Sequence, residues 1–313
     1  MPGEASGAAL PDNFSYSVRI GVPLHEKFVV ASGFYLQNQT SVYMVTARHV
    51  LFGPTQVQLG EGASVPIPRH LAYRFRLDKK SRLLIFDGVL SVQERDDMLM
   101  HPSMNDGGRA VVQVLYEKSQ KLRLRAHTAN VITCEPGTGE FELGLTRMLI
   151  KDLIKYHPVR DVAVMKLGTV AMCGAAPCTN FVEEVRVKKT ERVNALDLGR
   201  MKLIDAVAAG EEVFVPGYAA SAVVQPSLER RPPTLRKSVV AGIRKDVGAI
   251  LIRGTARPGD SGGLVVEVDQ NADQAHFKGV GIVSARLQYE RGSEDPKEYS
   301  LAVGLDALME LLN

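Results

Sequence analysis

Short apolar runs alternate with turn-forming residues along most of the chain. The runs are rich in Val, Ile, Phe and Tyr, and Gly, Pro, Asn or Asp separate them. This pattern is typical of β-strands. Because regular helical spacing is scarce between the runs, it favours an antiparallel all-β fold over a parallel α/β sheet. The strand candidates include YSVRIGV, FVVASGFYL, SVYMVTA, RLLIFDGVLSV, RAVVQVLY, DVAVMKL, EEVFVPGY and HFKGVGIVSARL.

Helical patterns are only local. ARHVLF predicts one helical turn, LTRMLIKDLIKYH a longer stretch, and LDALMELLN a helix at the end of the sequence. In the last of these, an apolar face predicts that the helix caps a barrel. That face is formed by Leu305, Leu308, Met309 and Leu312. Residues 1–12 are small and polar, and we expect them to be loose.

Charge and composition argue against several classes of protein. The 38 Lys and Arg residues and 35 Asp and Glu residues give a formal net charge of +3 and are scattered, so nucleic acid is not an expected partner. No apolar run approaches the roughly 18 residues that span a bilayer. The start of the sequence also lacks a signal-like pattern, so neither membrane insertion nor export is expected.

The cysteines are few. Cys134, Cys173 and Cys178 cannot form an even paired framework, and a reducing cytoplasm suits them better. Cys173 and Cys178 are spaced closely enough for a redox or metal site, but no histidine or further cysteine lies near them to complete four ligands. We therefore expect no metal and no cofactor.

The stretch ARPGDSGGLVV, residues 256–266, surrounds one serine with glycines and leads into an apolar strand. A serine hydroxyl is a poor nucleophile unless a base takes its proton and hydrogen-bond donors stabilise the oxyanion that forms. Gly259 and Gly262 allow unusual backbone angles, so the N–H groups of Gly259 and Ser261 can point to one place beside the Ser261 hydroxyl. The alternative is a glycine-rich β-turn whose serine faces solvent.

Two further residues stand in contexts that suit a base and its partner. His49 lies at the end of an apolar strand where a helical turn begins, and this junction would expose and fix an imidazole. Asp161 opens the strand DVAVMKL, whose residues would draw the carboxylate inward, where it could hold the imidazole in one tautomer. Taken singly, His49 could be a packed histidine and Asp161 a surface residue at a strand start.

Together these segments resemble the catalytic signatures of a known family. VTARHV, HPVRDVAVMKL and PGDSGGLVV occur in the order His, Asp, Ser and are similar to those of the chymotrypsin-like (trypsin-like) serine peptidases, above all the bacterial trypsin-like and HtrA-type members. ASGFYL, AAGEEVFVPGY, VGIVSA and YSLAVGLDALMELL agree as well. HtrA-type proteins carry a C-terminal PDZ module, and we expect none here, because the sequence ends at MELLN.

The resemblance implies a fold of two packed antiparallel six-stranded β-barrels with a short C-terminal helix. The N-terminal barrel would span about residues 13–165 and the C-terminal barrel about 166–313, with the catalytic cleft between them. By the same resemblance His49 is the general base, Asp161 the orienting acid and Ser261 the nucleophile. The N–H groups of Gly259 and Ser261 would stabilise the oxyanion. The substrate would contact Thr255, Ser284, Ala285 and Arg286, and would add a strand along 284–286.

The long stretch between His49 and Asp161 departs from the family pattern. It implies an insertion within about residues 55–145, which could be a lid over the cleft, a docking surface for a regulatory protein, or longer barrel hairpins. This insertion contains a second candidate acid, Asp106 in MHPSMNDGG. Two glycines follow it, so we prefer Asp161 and expect Asp106 to lie in a turn.

Two positions bear on specificity and activation. Thr255 stands where trypsin-type enzymes carry an acid at the base of the primary pocket, and Arg286 stands where a glycine commonly lines its mouth. Asp260 matches an acid that in many relatives pairs with a new amino terminus made by cleavage, and Arg19 precedes a faint candidate for such a cut. The alternative is that nearby backbone or side-chain donors satisfy Asp260.

The expected function is a bacterial, cytoplasmic serine endopeptidase that hydrolyses peptide bonds through an acyl-enzyme intermediate and acts on a specific protein substrate. Because Thr255 supplies no acid, we expect small, polar or acidic residues before the cut rather than Lys or Arg. The alternative function is a regulatory peptide-binding or protein-binding module on a peptidase scaffold, latent or inactive until a partner binds.

Overall fold

The computed structural model describes residues 16–24, 27–122, 131–135, 141–187, 193–218, 233–254, 256–269, 276–288 and 298–313. These residues form nineteen strands and five α-helices. The all-β prediction with a short C-terminal helix is confirmed.

The elements follow one another along the chain in three groups. The first group is β1 (Ser17–Leu24), β2 (Lys27–Gln37), β3 (Ser41–Thr46) and α1 (Arg48–Phe52), followed by β4 (Thr55–Gln58), β5 (Phe75–Asp78), β6 (Leu83–Phe86), α2 (Val92–Leu99) and α3 (Asp106–Gln120). The second is β7 (Val131–Glu135), β8 (Phe141–Gly144), α4 (Leu145–Ile150), β9 (Ile154–Tyr156), β10 (Ala163–Cys173), β11 (Ala176–Phe181), β12 (Val185–Val187) and β13 (Leu196–Asp197). The third is β14 (Glu212–Gly217), β15 (Thr234–Arg244), β16 (Ala249–Arg253), β17 (Leu264–Asp269), β18 (His276–Gln288), β19 (Glu298–Gly304) and α5 (Asp306–Leu312).

The N-terminal half is built on one ten-stranded sheet. Its main path runs β11-β10-β3-β2-β1-β7-β8-β12, with β9 beside β10 and β13 beside β2. The expected six strands are therefore too few for this half. The difference arises because β7, β8 and β12 continue the sheet beyond β1, and because β11 adds a hairpin to β10. Alternate residues of β1, Val18, Ile20 and Val22, are buried in the core of this half.

The C-terminal half is a closed barrel in the order β14-β15-β16-β19-β18-β17, so the predicted six strands are confirmed here. A separate apolar cluster joins the halves, with Phe34 and Val164 on one side and Leu264 and Ile282 on the other. Leu308 of α5 belongs to this cluster. The C-terminal helix thus packs into the junction between the halves, with Leu305 and Leu308 fully buried as its pattern predicts.

Residues 54–122 form a small subdomain with its own core, which we call the insertion subdomain. Its sheet has the order β4-β6-β5, and α2 and α3 pack with it. The run RAVVQVLY lies within α3, so the strand predicted there is wrong. Val111, Val112 and Leu115 recur at helical spacing and are buried on one face, while the side chain of Asn105 accepts a hydrogen bond from the first turn. Asp106 is the exposed first residue of this helix rather than a turn residue.

A disulfide joins Cys173 and Cys178 across the hairpin of β10 and β11. The expectation of unpaired cysteines is therefore wrong for these two, because the hairpin brings their backbones to a Cα separation of 5.6 Å, within the range of a disulfide. In the described part of the chain, every helix is too short or too polar to cross a membrane. Those same residues contain no group of three or more His, Cys, Asp or Glu side chains placed to hold a metal ion.

Candidate active site

His49 and Asp161 meet through two hydrogen bonds. The Nδ1 atom of His49 lies 2.7 Å from Oδ2 of Asp161, and the backbone N–H of His49 donates to Oδ1 at 2.9 Å. His49 is the second residue of α1, directly after the apolar strand β3, and its side chain is 26% exposed. Asp161 is the aspartate that contacts the imidazole, whereas Asp106 lies in the insertion subdomain at the start of α3.

The carboxylate of Asp161 is buried and stays ionised. The apolar residues after it, Val162 and Val164, are buried and hold the start of β10 inside the molecule. Burial alone would raise the pKa of Asp161, but the charge and hydrogen bond of His49, the nearby Arg48 guanidinium and a hydrogen bond from Ser284 outweigh it and hold the pKa well below its ordinary value. With Nδ1 bonded to an ionised carboxylate, a neutral His49 presents Nε2 as a proton acceptor.

Ser284 adds a hydrogen bond that the sequence did not predict. Its hydroxyl donates to Oδ2 of Asp161 at 2.6 Å, and the residue is buried. By the resemblance, Ser284 is expected only to contact the substrate. Its neighbour in the chain, Ala285, lines the same cavity as His49.

The turn that carries Ser261 depends on glycine at two positions. Gly259 has φ 102° and Gly262 has φ 88°, a region that side chains disfavour. A Cβ on Gly262 would lie 2.2 Å from both the Ser32 carbonyl oxygen and Thr46 Oγ1, so no side chain fits there. The glycine-rich signature therefore has a steric cause in this molecule.

Ser32 of β2 ties the same turn to the N-terminal half. Its N–H donates to the Ser261 carbonyl at 2.9 Å, and its hydroxyl donates to the Gly259 carbonyl at 2.6 Å. The hydroxyl also accepts from the Tyr218 N–H at 3.1 Å. Among the described residues, the N–H groups of Gly259 and Ser261 make no hydrogen bond within the protein. Both amides of the candidate oxyanion site are thus available to a ligand.

A cavity of about 640 Å³ brings the candidate residues together. His49, Asp161 and Ser261 all line it, although they come from three distant parts of the sequence. Its other walls come from the barrel half, from the insertion subdomain and from the segment before Asp161. They include Ser284, Ala285, Gly248, Val303, Arg160, Tyr73, Phe75, Arg76 and Asp87.

Asp260, beneath the turn, is fully buried and is held by nearby donors. The Arg236 guanidinium and the Arg257 N–H, at 2.7 Å, both bond to Oδ2 of Asp260. Burial raises the pKa of this carboxyl, and these partners oppose the rise. The faint cleavage site after Arg19 lies inside β1, where Ile20 is fully buried and paired with neighbouring strands. Of the two explanations for Asp260, local donors are the one that the structure shows.

The specificity positions are described only in part. Thr255 and the side chain of Arg286 lie outside the described residues. Among the described strands, residues 285–288 of β18 pair with β19 alone, since the pairing with β17 ends at Ile282. Within the described residues the other edge of this stretch is unpaired, and the stretch borders the cavity at Ala285.

Sequence comparisons give no match to any protein-family model and none to any curated protein. Among solved structures, the chain is similar to an inactive form of a Ser-to-Ala mutant of Rv3671c from M. tuberculosis, with 13% identity, a TM-score of 0.41, and coverage of 95% of this chain and 85% of that one. It is similar to the HtrA-type protease AlgW with a tripeptide, at 12% identity and a TM-score of 0.41. The match covers 95% of this chain and 59% of the AlgW chain. It is also similar to the protease Anisep from Arthrobacter nicotinovorans, at 13% identity, a TM-score of 0.41 and coverage of 96% and 94%. These solved structures are of trypsin-like and HtrA-type proteases.

Proposed function

We propose that the chain is a serine endopeptidase that cleaves peptide bonds through an acyl-enzyme intermediate. The observation that carries this proposal is the cavity that Ser261 lines together with the hydrogen-bonded pair of His49 and Asp161. In this proposal the Ser261 hydroxyl attacks the scissile carbonyl carbon while Nε2 of His49 accepts its proton. The N–H groups of Gly259 and Ser261 stabilise the negative oxygen of the tetrahedral intermediate.

The intermediate then collapses, and His49 returns the proton it accepted. The imidazolium of His49 gives its proton to the leaving amine, the carbon–nitrogen bond breaks, and the acyl group stays on Ser261. Water then attacks the ester with His49 again as base, which releases the acid and restores the hydroxyl. Asp161 stabilises the positive imidazole in both steps, and the Ser284 hydroxyl supports the ionised form of Asp161.

The edge of β18 that is unpaired within the described residues suggests how a peptide is held. An extended substrate would add a strand along 284–286 and place its scissile carbonyl beside Ser261. Thr255 carries no charge, so we propose small, polar or acidic residues before the cut. A library of fluorogenic peptides tests this preference, and cleavage chiefly after Lys or Arg would refute it.

The proposal is tested by labelling the protein with a fluorophosphonate, which reacts covalently with an activated serine. We expect the wild type to be labelled and Ser261→Ala to remain unlabelled at the same folded concentration. Ser103→Ala serves as the control, because it removes an exposed serine hydroxyl of the insertion subdomain and leaves the proposed nucleophile unchanged. If wild type and Ser261→Ala are both labelled to the same extent, the proposed nucleophile is wrong. A folded but unlabelled wild type would instead favour the peptide-binding module.

A further inference from the structure

Arg48 is a fully buried charged residue directly before His49 in α1. Its Nη1 donates to the carbonyls of His157 and Pro158 at 3.0 and 2.9 Å, and its Nη2 bonds to Oδ1 of Asp87. A buried guanidinium is costly unless such partners compensate it. One side chain on the helix of His49 therefore joins two other segments of the chain.

The first of these segments, residues 157–160, leads directly into Asp161. Its conformation is fixed from several sides. Nδ1 of His157 accepts from the Val159 and Arg160 N–H groups at 3.1 and 2.9 Å, and its Nε2 bonds to Glu310 of α5 at 2.9 Å. Through the two carbonyls in this segment, Arg48 connects the base-bearing helix to the backbone that positions the acid.

The second segment, residues 87–89, belongs to the insertion subdomain and follows β6. The Val89 N–H donates to the Pro158 carbonyl at 2.7 Å, so this segment also contacts the acid-bearing loop. A Cβ on Gly88 would lie 2.8 Å from that same carbonyl oxygen and 3.1 Å from Nη1 of Arg48. The insertion subdomain therefore packs against α1 and the 157–160 segment so closely at Gly88 that a larger residue would not fit there.

Asp87 is itself held within the subdomain by Arg74. The Arg74 side chain is buried and donates to the carbonyls of Asp87 and Val89 at 3.1 and 2.6 Å. Its Nη1 bonds to Glu94 of α2 at 2.7 Å, and its guanidinium lies 4.6 Å from the ring centre of Phe86, a core residue of the subdomain. The partner that Arg48 finds in Asp87 is thus anchored to a packed unit rather than to a loose loop.

Asp87 also lies within electrostatic reach of the proposed triad. It lines the cavity with His49 and Asp161, and its side chain is 34% exposed. Burial and the negative charge of Asp161 raise the pKa of Asp87, while Arg48 and His49 oppose the rise. Its charge is therefore part of the field in which His49 would work.

We propose that Arg48 and Asp87 are positioning residues, through which the docked insertion subdomain fixes His49 and the 157–161 segment in register for reaction. This inference rests on the proposed peptidase function. It makes the subdomain a working part of the active site rather than only an added wall of the cleft. Neither residue touches the reacting atoms, since both act through α1 and the 157–161 segment.

Asp87→Asn is the main test, because it removes the charge and keeps the shape of the side chain. We expect the second-order rate of Ser261 labelling by a fluorophosphonate to fall about 100-fold, the cost of a misplaced catalytic group. Asp96→Asn is the matched control, since Asp96 forms an exposed ion pair with Arg95 in the same subdomain and should label within about twofold of wild type. A folded Asp87→Asn protein that labels at the wild-type rate overturns the proposal.

A second pair of variants separates positioning from general stability. Arg48→Lys keeps the cation but loses the fork that reaches three oxygens, so we expect it to slow labelling as well. The double variant should be no slower than the worse single one, because both changes break one connection. If the rates multiply instead, the two residues act independently and the positioning pair is refuted. Arg48→Lys also decides the matter should Asp87→Asn fail to fold.

A readout that needs no activity keeps this inference separate from the proposed function. The Nδ1 proton between His49 and Asp161 should give a low-field proton NMR signal, which His49→Ala assigns by its loss. We expect Asp87→Asn to shift or broaden that signal and Asp96→Asn to leave it unchanged. An unlabelled wild type refutes the peptidase, and the NMR comparison then decides the positioning proposal by itself: an unaltered signal in Asp87→Asn refutes it.

Discussion

The turn that carries Ser261 and the helix that carries His49 are held in place by different kinds of contact. Backbone hydrogen bonds, two glycines with positive φ and a hydroxyl from Ser32 fix the turn. The helix packs through Val50, Leu51 and Phe52, and the buried guanidinium of Arg48 joins it to two other segments. The turn depends on glycine at two positions and on the ion pair of Asp260 with Arg236, whereas the link from the helix to its neighbours depends on the charge of Arg48. The two regions should therefore respond to different substitutions and differently to pH.

The largest expected effect comes from Asp161, the hydrogen-bond partner of His49 on the helix. Asp161→Asn keeps the geometry but removes the charge and favours the wrong imidazole tautomer, so kcat should fall about 10⁴-fold. The second-order rate constant of fluorophosphonate labelling should fall with it, because the same base and acid activate the Ser261 hydroxyl. Asp106→Asn is the control, because it changes the competing acid of the insertion. If the labelling rate falls strongly in Asp106→Asn and stays unchanged in Asp161→Asn, our assignment of the acid is wrong.

Arg236→Gln tests the ion pair between Arg236 and Asp260 beneath the turn. Removing the partner of a buried carboxylate costs about 3 to 5 kcal/mol, so the free energy of unfolding should fall by that order. Lys237→Gln, next to it on β15, breaks an exposed pair with Glu212 and should change stability by less than about 1 kcal/mol. Urea denaturation of both variants gives the comparison.

The same variant has a pH dependence with a defined sign. The pKa of Asp260 is raised in the folded state, so its contribution to stability is present at low pH and is lost as pH rises through the folded pKa. Arg236→Gln should raise that pKa further. The gap in Tm between wild type and variant should then be widest near neutral pH and narrow as pH falls towards the ordinary range of an aspartic acid. A gap that grows in acid would contradict this explanation.

Gly262→Ala sharpens the steric side of the comparison. The added methyl would meet two oxygens at 2.2 Å with φ at 88°, and we expect a loss of about 2 to 5 kcal/mol together with the loss of labelling. Gly210→Ala is matched in backbone angle, with φ 90°, but has no atom within 4 Å of the new Cβ. It should cost about 1 kcal/mol and leave labelling intact. Equal effects would show that backbone angle alone, not crowding, selects glycine.

The smallest effect is expected at the disulfide of the β10–β11 hairpin. Cys173→Ser with Cys178→Ser removes a short-range crosslink, which should lower stability by about 2 kcal/mol. Both cysteines are at the end of the hairpin away from Asp161, so the labelling rate should not change. Thermal unfolding with and without a reductant measures the first quantity, and labelling under the same conditions measures the second. A slowed reaction would mean that the hairpin influences the start of β10.

Local patterns predicted most of the strands because each depends on its immediate neighbours. The resemblance to the peptidase family, together with the apolar residues after Asp161, indicated the partner of His49. The residues after Asp161 draw it inward, and the strand before His49 ends where α1 begins. RAVVQVLY was mistaken for a strand because a short run rich in β-branched residues fits either structure. Here Asn105 caps the chain into a helix, and the buried face is completed by residues beyond the run.

The contacts across long distances could not be predicted in the same way. Arg48 and Asp87 are 39 residues apart, and each alone has the pattern of an ordinary surface charge. Arg236 likewise stands in a charged stretch with no sign that it reaches Asp260. Such pairs depend on how the segments pack, and a single sequence gives no distance between them.

Ser32 has a consequence for when the chain could become reactive. Its backbone N–H and hydroxyl, from the N-terminal half, hold a turn that belongs to the C-terminal barrel. A barrel folded by itself would keep Ser261 but would lack this support, as well as His49 and Asp161. During synthesis the first half would emerge with the proposed base and acid but without the proposed nucleophile. If the chain is the peptidase we propose, neither half could cleave neighbouring chains before the two have joined, so assembly itself would serve as the safeguard.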